Sequence, residues 1–159
     1  MVRRTAAIRI ARRFRAPPED VFDAWLDPQV AGKWLFATAS RPMAKVSINA
    51  RVAGSFRLVD RADGKAIAYS GEYVEIVPPR RLAFTLSADH HPRVVARVRV
   101  EIVPRTTGCD LTVTNENVPP HYASRTEARW TGILYGLGVT LDSKGESTAP
   151  AAARSRRQR

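Results

Sequence analysis

Cysteine is nearly absent from this sequence: Cys109 stands alone among 159 residues. A lone thiol closes no internal disulfide, and its presence fits a reducing compartment. Long apolar runs are missing too. No stretch approaches the ~20 apolar residues of a bilayer span, so no transmembrane helix is expected. The opening "MVRRTAAIRIARRF" is basic, but Arg9, Arg12 and Arg13 break any continuous apolar segment. It does not read as a signal peptide, and a cytoplasmic location is expected. No serine sits in a Gly-x-Ser-x-Gly elbow. Gly54 and Gly71 are isolated, which suits a bulge or a close helix approach and not a phosphate loop. Histidine is scarce as well, at three residues, two of them the adjacent His90 and His91. Neighbours on a strand point to opposite faces and chelate poorly, so this pair reads as an exposed hairpin turn, and no metal or cofactor is expected. Cys109 lacks a basic neighbour to activate it and reads as a small strand residue. Glu72 and Glu75, three apart on a strand, read as facing opposite ways and so make no acid–base pair.

Acidic residues are few. Fifteen Asp and Glu stand against 26 Lys and Arg, a formal charge of +11, and 22 of the 26 cations are Arg. From Lys144 to the end, five cations and Glu146 give +4, leaving +7 on residues 1–143. Basicity of this size can serve nucleic acid or an acidic partner. The cations do not interleave with exposed aromatics as stacking platforms require, which makes that reading a secondary alternative.

What is present has clear periodicity. With 44% hydrophobic and 26% charged residues, the chain has the composition of one globular domain with a real core. Residues 5–15 alternate: Ile8, Ile10 and Phe14 face one way and Arg9, Arg13 and Arg15 the other, the pattern of a half-buried strand. Pro17 and Pro18 stop it and open a helix whose stripe is Val21, Phe22, Trp25 and Leu26. Asp27-Pro28 repeats the start signal for a second short helix carrying Val30 and Trp34. Strands follow over 52–60, 66–77, 81–87, 94–103 and 109–117, with Asp63-Gly64 and Pro104 to Gly108 as turns. In 94–103, Val94, Ala96, Val98, Val100 and Ile102 point inward. After Pro119-Pro120 a helical period returns from about 124 to 141, with Trp130, Ile133, Leu134, Leu137 and Leu141 on one stripe. Residues 144–159 shift to Ser, Gly, Pro, Ala and Arg, the composition of a disordered basic tail beyond a domain over 1–143.

These elements specify an α+β fold. A curved antiparallel sheet of about six to seven strands wraps around a long C-terminal helix, with two short helices after the first strand closing one open end. On "APPEDVFDAWLDPQVAGKW" (16–34), "GEYVEIVPPRRLAFT" (71–85), "LTVTNENVPP" (111–120) and "ARWTGILYGL" (128–137), the sequence resembles the SRPBCC superfamily (START-like, helix-grip). Within it, the sequence is similar to the group related to the C-terminal domain of the activator of the ninety-kilodalton heat-shock chaperone's ATPase. Two positions depart from the group's pattern: Leu35 follows Trp34 where a second tryptophan is common, and Asn115 stands where histidine is common.

The resemblance implies a cavity for a small hydrophobic or aromatic ligand, with a heat-shock chaperone as a possible second partner and a role in stress. The residues expected to line it are Trp25, Trp34, Phe36, Phe56, Tyr69, Tyr73, Phe84, Val113, Asn115, Trp130 and Leu134. Tyr69, Tyr73 and Asn115 would orient the ligand, with Arg12 as an outlying candidate. A cyclase- or aromatase-like enzyme is the alternative within the superfamily. It needs an ionisable group inside the cavity, and no catalytic residue stands out in the sequence.

Overall fold

The computed structural model describes residues 5–37, 42–62, 64–89 and 91–157, with side chains described through Asp142 except at Ala62, His91 and Pro92. Strand β1 (Ala6–Phe14) leads into helices α1 (Pro18–Leu26) and α2 (Pro28–Trp34). Strands β2 (Lys45–Ile48), β3 (Ser55–Ala62), β4 (Lys65–Val77), β5 (Arg81–Ala88), β6 (His91–Pro104) and β7 (Cys109–Val118) follow. A single 3-10 turn (Pro120–Tyr122) then opens α3 (Ala123–Arg157). The strands form one antiparallel sheet in the order β1-β7-β6-β5-β4-β3-β2. From β2 to β7 it is a meander, and β7 returns beside β1. The two short helices therefore carry the chain from one edge of the sheet to the other.

Local chemistry sets the helix boundaries. Pro17 is extended (ψ 151°), and α1 starts at Pro18 with Glu19 and Asp20 in its first turn, where acidic groups suit the helix dipole. Asp27 serves both helices. Its N–H donates to Asp23 O at the end of α1, and its side chain accepts from Gln29 N at 3.0 Å to cap α2. The resulting corner brings Trp25 and Trp34 together edge to face, with ring centroids 4.7 Å apart. The indole Nε1 of Trp34 donates to Ala24 O at 3.1 Å. On its other side Trp34 lies under Gly136 of α3, where an added Cβ would meet it at 3.8 Å. The inner stripe of α3 (Trp130, Ile133, Leu134, Leu137 and Leu141) is buried throughout against the concave face.

Two details differ from the sequence expectation. Strand β2 is four residues long, too short to show an alternation, and it extends the sheet at the edge beyond β3. The bulge in β4 falls not at Gly71 but between Tyr73, paired with Phe84, and Glu75, paired with Ala83. It shifts the side-chain parity, so Glu72 and Glu75 share the outer face instead of facing apart, and Glu75 pairs with Arg81 at 3.7 Å. Gly71 answers a different need: a Cβ there would lie 1.8 Å from Thr85 O and 2.8 Å from the Phe56 ring. At the C-terminus the backbone of α3 runs on to Arg157. Leu141 is the last buried side chain described. Asp63 and His90 lie outside the described residues.

The outer face carries the charge. Arg99 reaches both Glu101 (3.5 Å) and Glu116 (3.2 Å), and Arg105 binds Asp110 at 2.6 Å. Among the described residues no helix is long and apolar enough to cross a membrane. Burial shifts the titration of two interior groups. Burial pushes the Tyr73 hydroxyl well above its ordinary range. The Cys109 thiol is raised by burial first, then by the nearby charges of Asp110 and Glu19.

Trp34→Ala is expected to lose about 3–5 kcal/mol in urea unfolding. Trp34→Phe should lose less, about 1–3 kcal/mol, from leaving the Ala24 carbonyl without its donor. Deletion of residues 144–159 lowers the formal charge from +11 to +7 and should leave the melting temperature nearly unchanged; a large drop would show that the tail packs on the domain. Alkali should weaken the fold. Cys109 and Tyr73 ionise in the unfolded chain near pH ~8.5 and ~10 but later in the folded one. Their contribution is complete below those values and is lost as pH rises above them. Urea midpoints should stay level to about pH 8 and fall from about pH 9 to 11, and Tyr73→Phe should remove the part above about pH 10.

Candidate functional site

The concave face is filled unevenly. Along β5 the inward residues run Leu82, Phe84, Leu86, Ala88, and along the paired β6 they run Val100, Val98, Ala96. Near the corner of α1 and α2 these side chains fill the space under α3. Toward the β5–β6 hairpin they shrink, while the first turns of α3 still pass overhead. The mismatch leaves a cavity of about 300 Å³, open to the surface. Tyr69 of β4, Leu86 and Ala88 of β5, Val94 and Ala96 of β6, and Asn115 of β7 form its floor. Tyr122, Arg125, Thr126, Arg129 and Trp130 form its roof, and Phe36 closes the side next to α2.

Trp130 divides core from cavity. It is 2% exposed, lies 6.2 Å from Trp25 and walls the cavity on its other side. Phe36 meets it edge to face at 5.6 Å and stacks on Tyr69 at 4.8 Å. Phe36 has φ 58°, a left-handed backbone that costs a bulky residue about 1–3 kcal/mol. Its ring contacts offset that cost and hold it against the opening. Arg129 lies over both rings, with its guanidinium carbon 5.3 Å from the Phe36 centroid and 4.9 Å from that of Tyr69. It also donates to the Tyr69 hydroxyl at 2.6 Å. Asn115 is 4% exposed, and its Oδ1 finds no hydrogen-bond partner among the described residues. None of the described residues lining the cavity is acidic.

Of the eleven residues expected from the sequence, four surround this cavity: Phe36, Tyr69, Asn115 and Trp130. The other seven, Trp25, Trp34, Phe56, Tyr73, Phe84, Val113 and Leu134, pack in the core instead. Beside Trp25, Phe56, Tyr73 and Phe84 the packing leaves about 10 Å³, roughly one water-sized sphere. Arg12 is also elsewhere. It lies 5.5 Å from the Tyr135 ring and against Gly138 of α3, away from the cavity. The aromatic stretch 21–36 thus closes the core with its two tryptophans and touches the cavity through Phe36.

Sequence reading passed over Arg125, Thr126 and Arg129. A signal for Arg129 was present: it sits at the spacing 129, 133, 137 on the apolar stripe of α3. Ala88 and Ala96 gave no signal, because a small residue announces nothing about the space it leaves.

Over residues 15–142 the sequence matches the family described as Activator of Hsp90 ATPase homolog 1-like protein. No curated protein matches it. Among solved structures, protein CV1439 from Chromobacterium violaceum is 30% identical and superposes with a TM-score of 0.71, covering 84% of this chain and 96% of that one. SA2116 of Staphylococcus aureus, a protein of unknown function, has a TM-score of 0.81 at 16% identity, over 90% of this chain and 97% of that one. DynU16, a protein in the dynemicin biosynthetic locus, has a TM-score of 0.68 at 20% identity, over 87% of this chain and 48% of that one. The last two likenesses concern fold alone. The family match takes in both short helices, strands β2 to β7 and the buried stripe of α3, and the chain belongs to the Activator of Hsp90 ATPase homolog 1-like family of the START-like, helix-grip superfamily.

Proposed function

We propose that this chain binds a small hydrophobic molecule in the cavity between the first turns of α3 and the hairpin end of the sheet. The observation that carries the reading is a cavity of about 300 Å³ walled by Phe36, Leu86 and Trp130. Its volume lies at the low end of ligand sites, roughly 300–1,000 Å³. It equals that of about ten waters at ~30 Å³ each, which suits one or two rings and excludes a long lipid chain. An aromatic group burying roughly 200 Å² gains about 5 kcal/mol at ~25 cal/mol per Å² before the cost of association. Affinities for simple probes should therefore fall between about 1 μM and 1 mM.

A cyclase-like enzyme is the second reading. Its support is the Tyr69 hydroxyl held 2.6 Å from Arg129, a placement open to proton transfer with a bound substrate. Mass spectrometry of a ligand released after long incubation separates the two: recovery unchanged favours binding, conversion favours catalysis.

Titration of isotope-labelled protein with naphthalene-sized probes should shift amide signals of Phe36, Tyr69, Ala96, Asn115 and Trp130. Ala96→Phe fills the cavity and should reduce affinity more than tenfold while costing no more than about 1–3 kcal/mol of stability. If no signal near the cavity shifts with any probe, the binding reading fails. Trp130→Ala should cost both stability, about 3–5 kcal/mol, and binding, since its ring serves core and cavity together.

A further inference from the structure

The cavity is apolar inside but not at its mouth, and the polarity there has one sign. Arg125 and Arg129 stand four residues apart on α3, so their side chains share a helix face, with Cβ atoms about 5–6 Å apart. Both line the opening. Like charges at this spacing repel each other, and no acidic side chain among the described lining residues offsets them. Arg129 uses one guanidinium nitrogen on the Tyr69 hydroxyl, and a guanidinium has five N–H donors in a fixed fork. Both arginines are exposed at the mouth, so their remaining N–H donors can meet an anion there. The walls behind them, Phe36, Leu86, Ala96 and Trp130, take an apolar body.

From this juxtaposition we infer that the ligand is a compact apolar monoanion, a one- or two-ring carboxylate or a comparable oxyanion. Its charged oxygens lie between Arg125 and Arg129, and its apolar body lies against Phe36, Ala96 and Trp130. The inference rests on the reading of this chain as a binding protein. It adds the charge of the ligand and the residues that read it. Arginine suits the role because its fork meets a carboxylate with two parallel, charge-assisted hydrogen bonds. The excess of positive charge on the chain, +11, would also draw an anion toward the opening.

Three probes of one shape test this: 2-naphthoate, 2-naphthamide and 2-naphthalenemethanol, titrated into the full chain at low and high salt. The naphthoate should bind at least tenfold tighter than the two neutral probes, and its advantage should shrink with salt. In the double variant Arg125→Gln, Arg129→Gln, checked for an unchanged fold by circular dichroism, the three affinities should converge. Arg125→Lys, which keeps charge without the fork, should retain part of the preference. Equal binding of all three probes to the unaltered chain would overturn the inference and leave the binding reading standing. A naphthoate preference that persists in the double variant would overturn the assignment to these arginines. Failure of every probe to bind would overturn the binding reading, and this inference with it.

Discussion

The edge-to-face contact of Trp25 with Trp34 is the interaction on which the interior depends. The chain must cross from one edge of the sheet to the other after β1, and the corner of α1 and α2 is its route. That corner is fixed by the proline starts, by Asp27 acting at two helix ends, and by the Trp34 indole bonded to Ala24. Once the tryptophans meet, Trp25 presents its ring to Trp130, and Trp130 becomes the partition between filled core and open cavity. The position of the cavity wall is therefore set by residues about a hundred positions earlier in the chain. Shape follows from packing here, and polarity is added at the rim by α3.

The sheet separates two kinds of arginine. On the outer face several are tied to carboxylates, Arg99 to Glu101 and Glu116 and Arg81 to Glu75. These pairs are substantially exposed, and each contributes little to stability. At the cavity mouth Arg125 and Arg129 line a surface with no acidic described neighbour in the lining.

Much of the fold was legible in the sequence. Proline pairs, the Asp27 cap and the two periodicities marked both short helices, α3 and five of the strands that follow α1 and α2. What escaped had physical reasons. Four residues of β2 are too few to display an alternation, and a bulge at an ordinary residue such as Val74 leaves no mark, whereas nearby Gly71 drew attention for a conformational freedom it uses differently. The site was harder to read. Residue type identifies an aromatic side chain as buried but not which side of Trp130 it lies on, and so the core aromatics and the cavity aromatics looked alike. The cavity itself is made by Ala88 and Ala96, whose contribution is the volume they do not fill.

That division along β5 and β6 has a consequence for substitution. Phe84 and Val98 hold the core, while Ala88 and Ala96, a few residues further along the same two strands, set the size of the cavity. Substitutions at the second pair can resize the site while the first pair keeps the domain folded. Under the proposed binding reading, what the chain accommodates would change at Ala88 and Ala96 while Phe84 and Val98 keep their packing. Trp130 is the exception, because it belongs to both territories and cannot change in one without changing in the other.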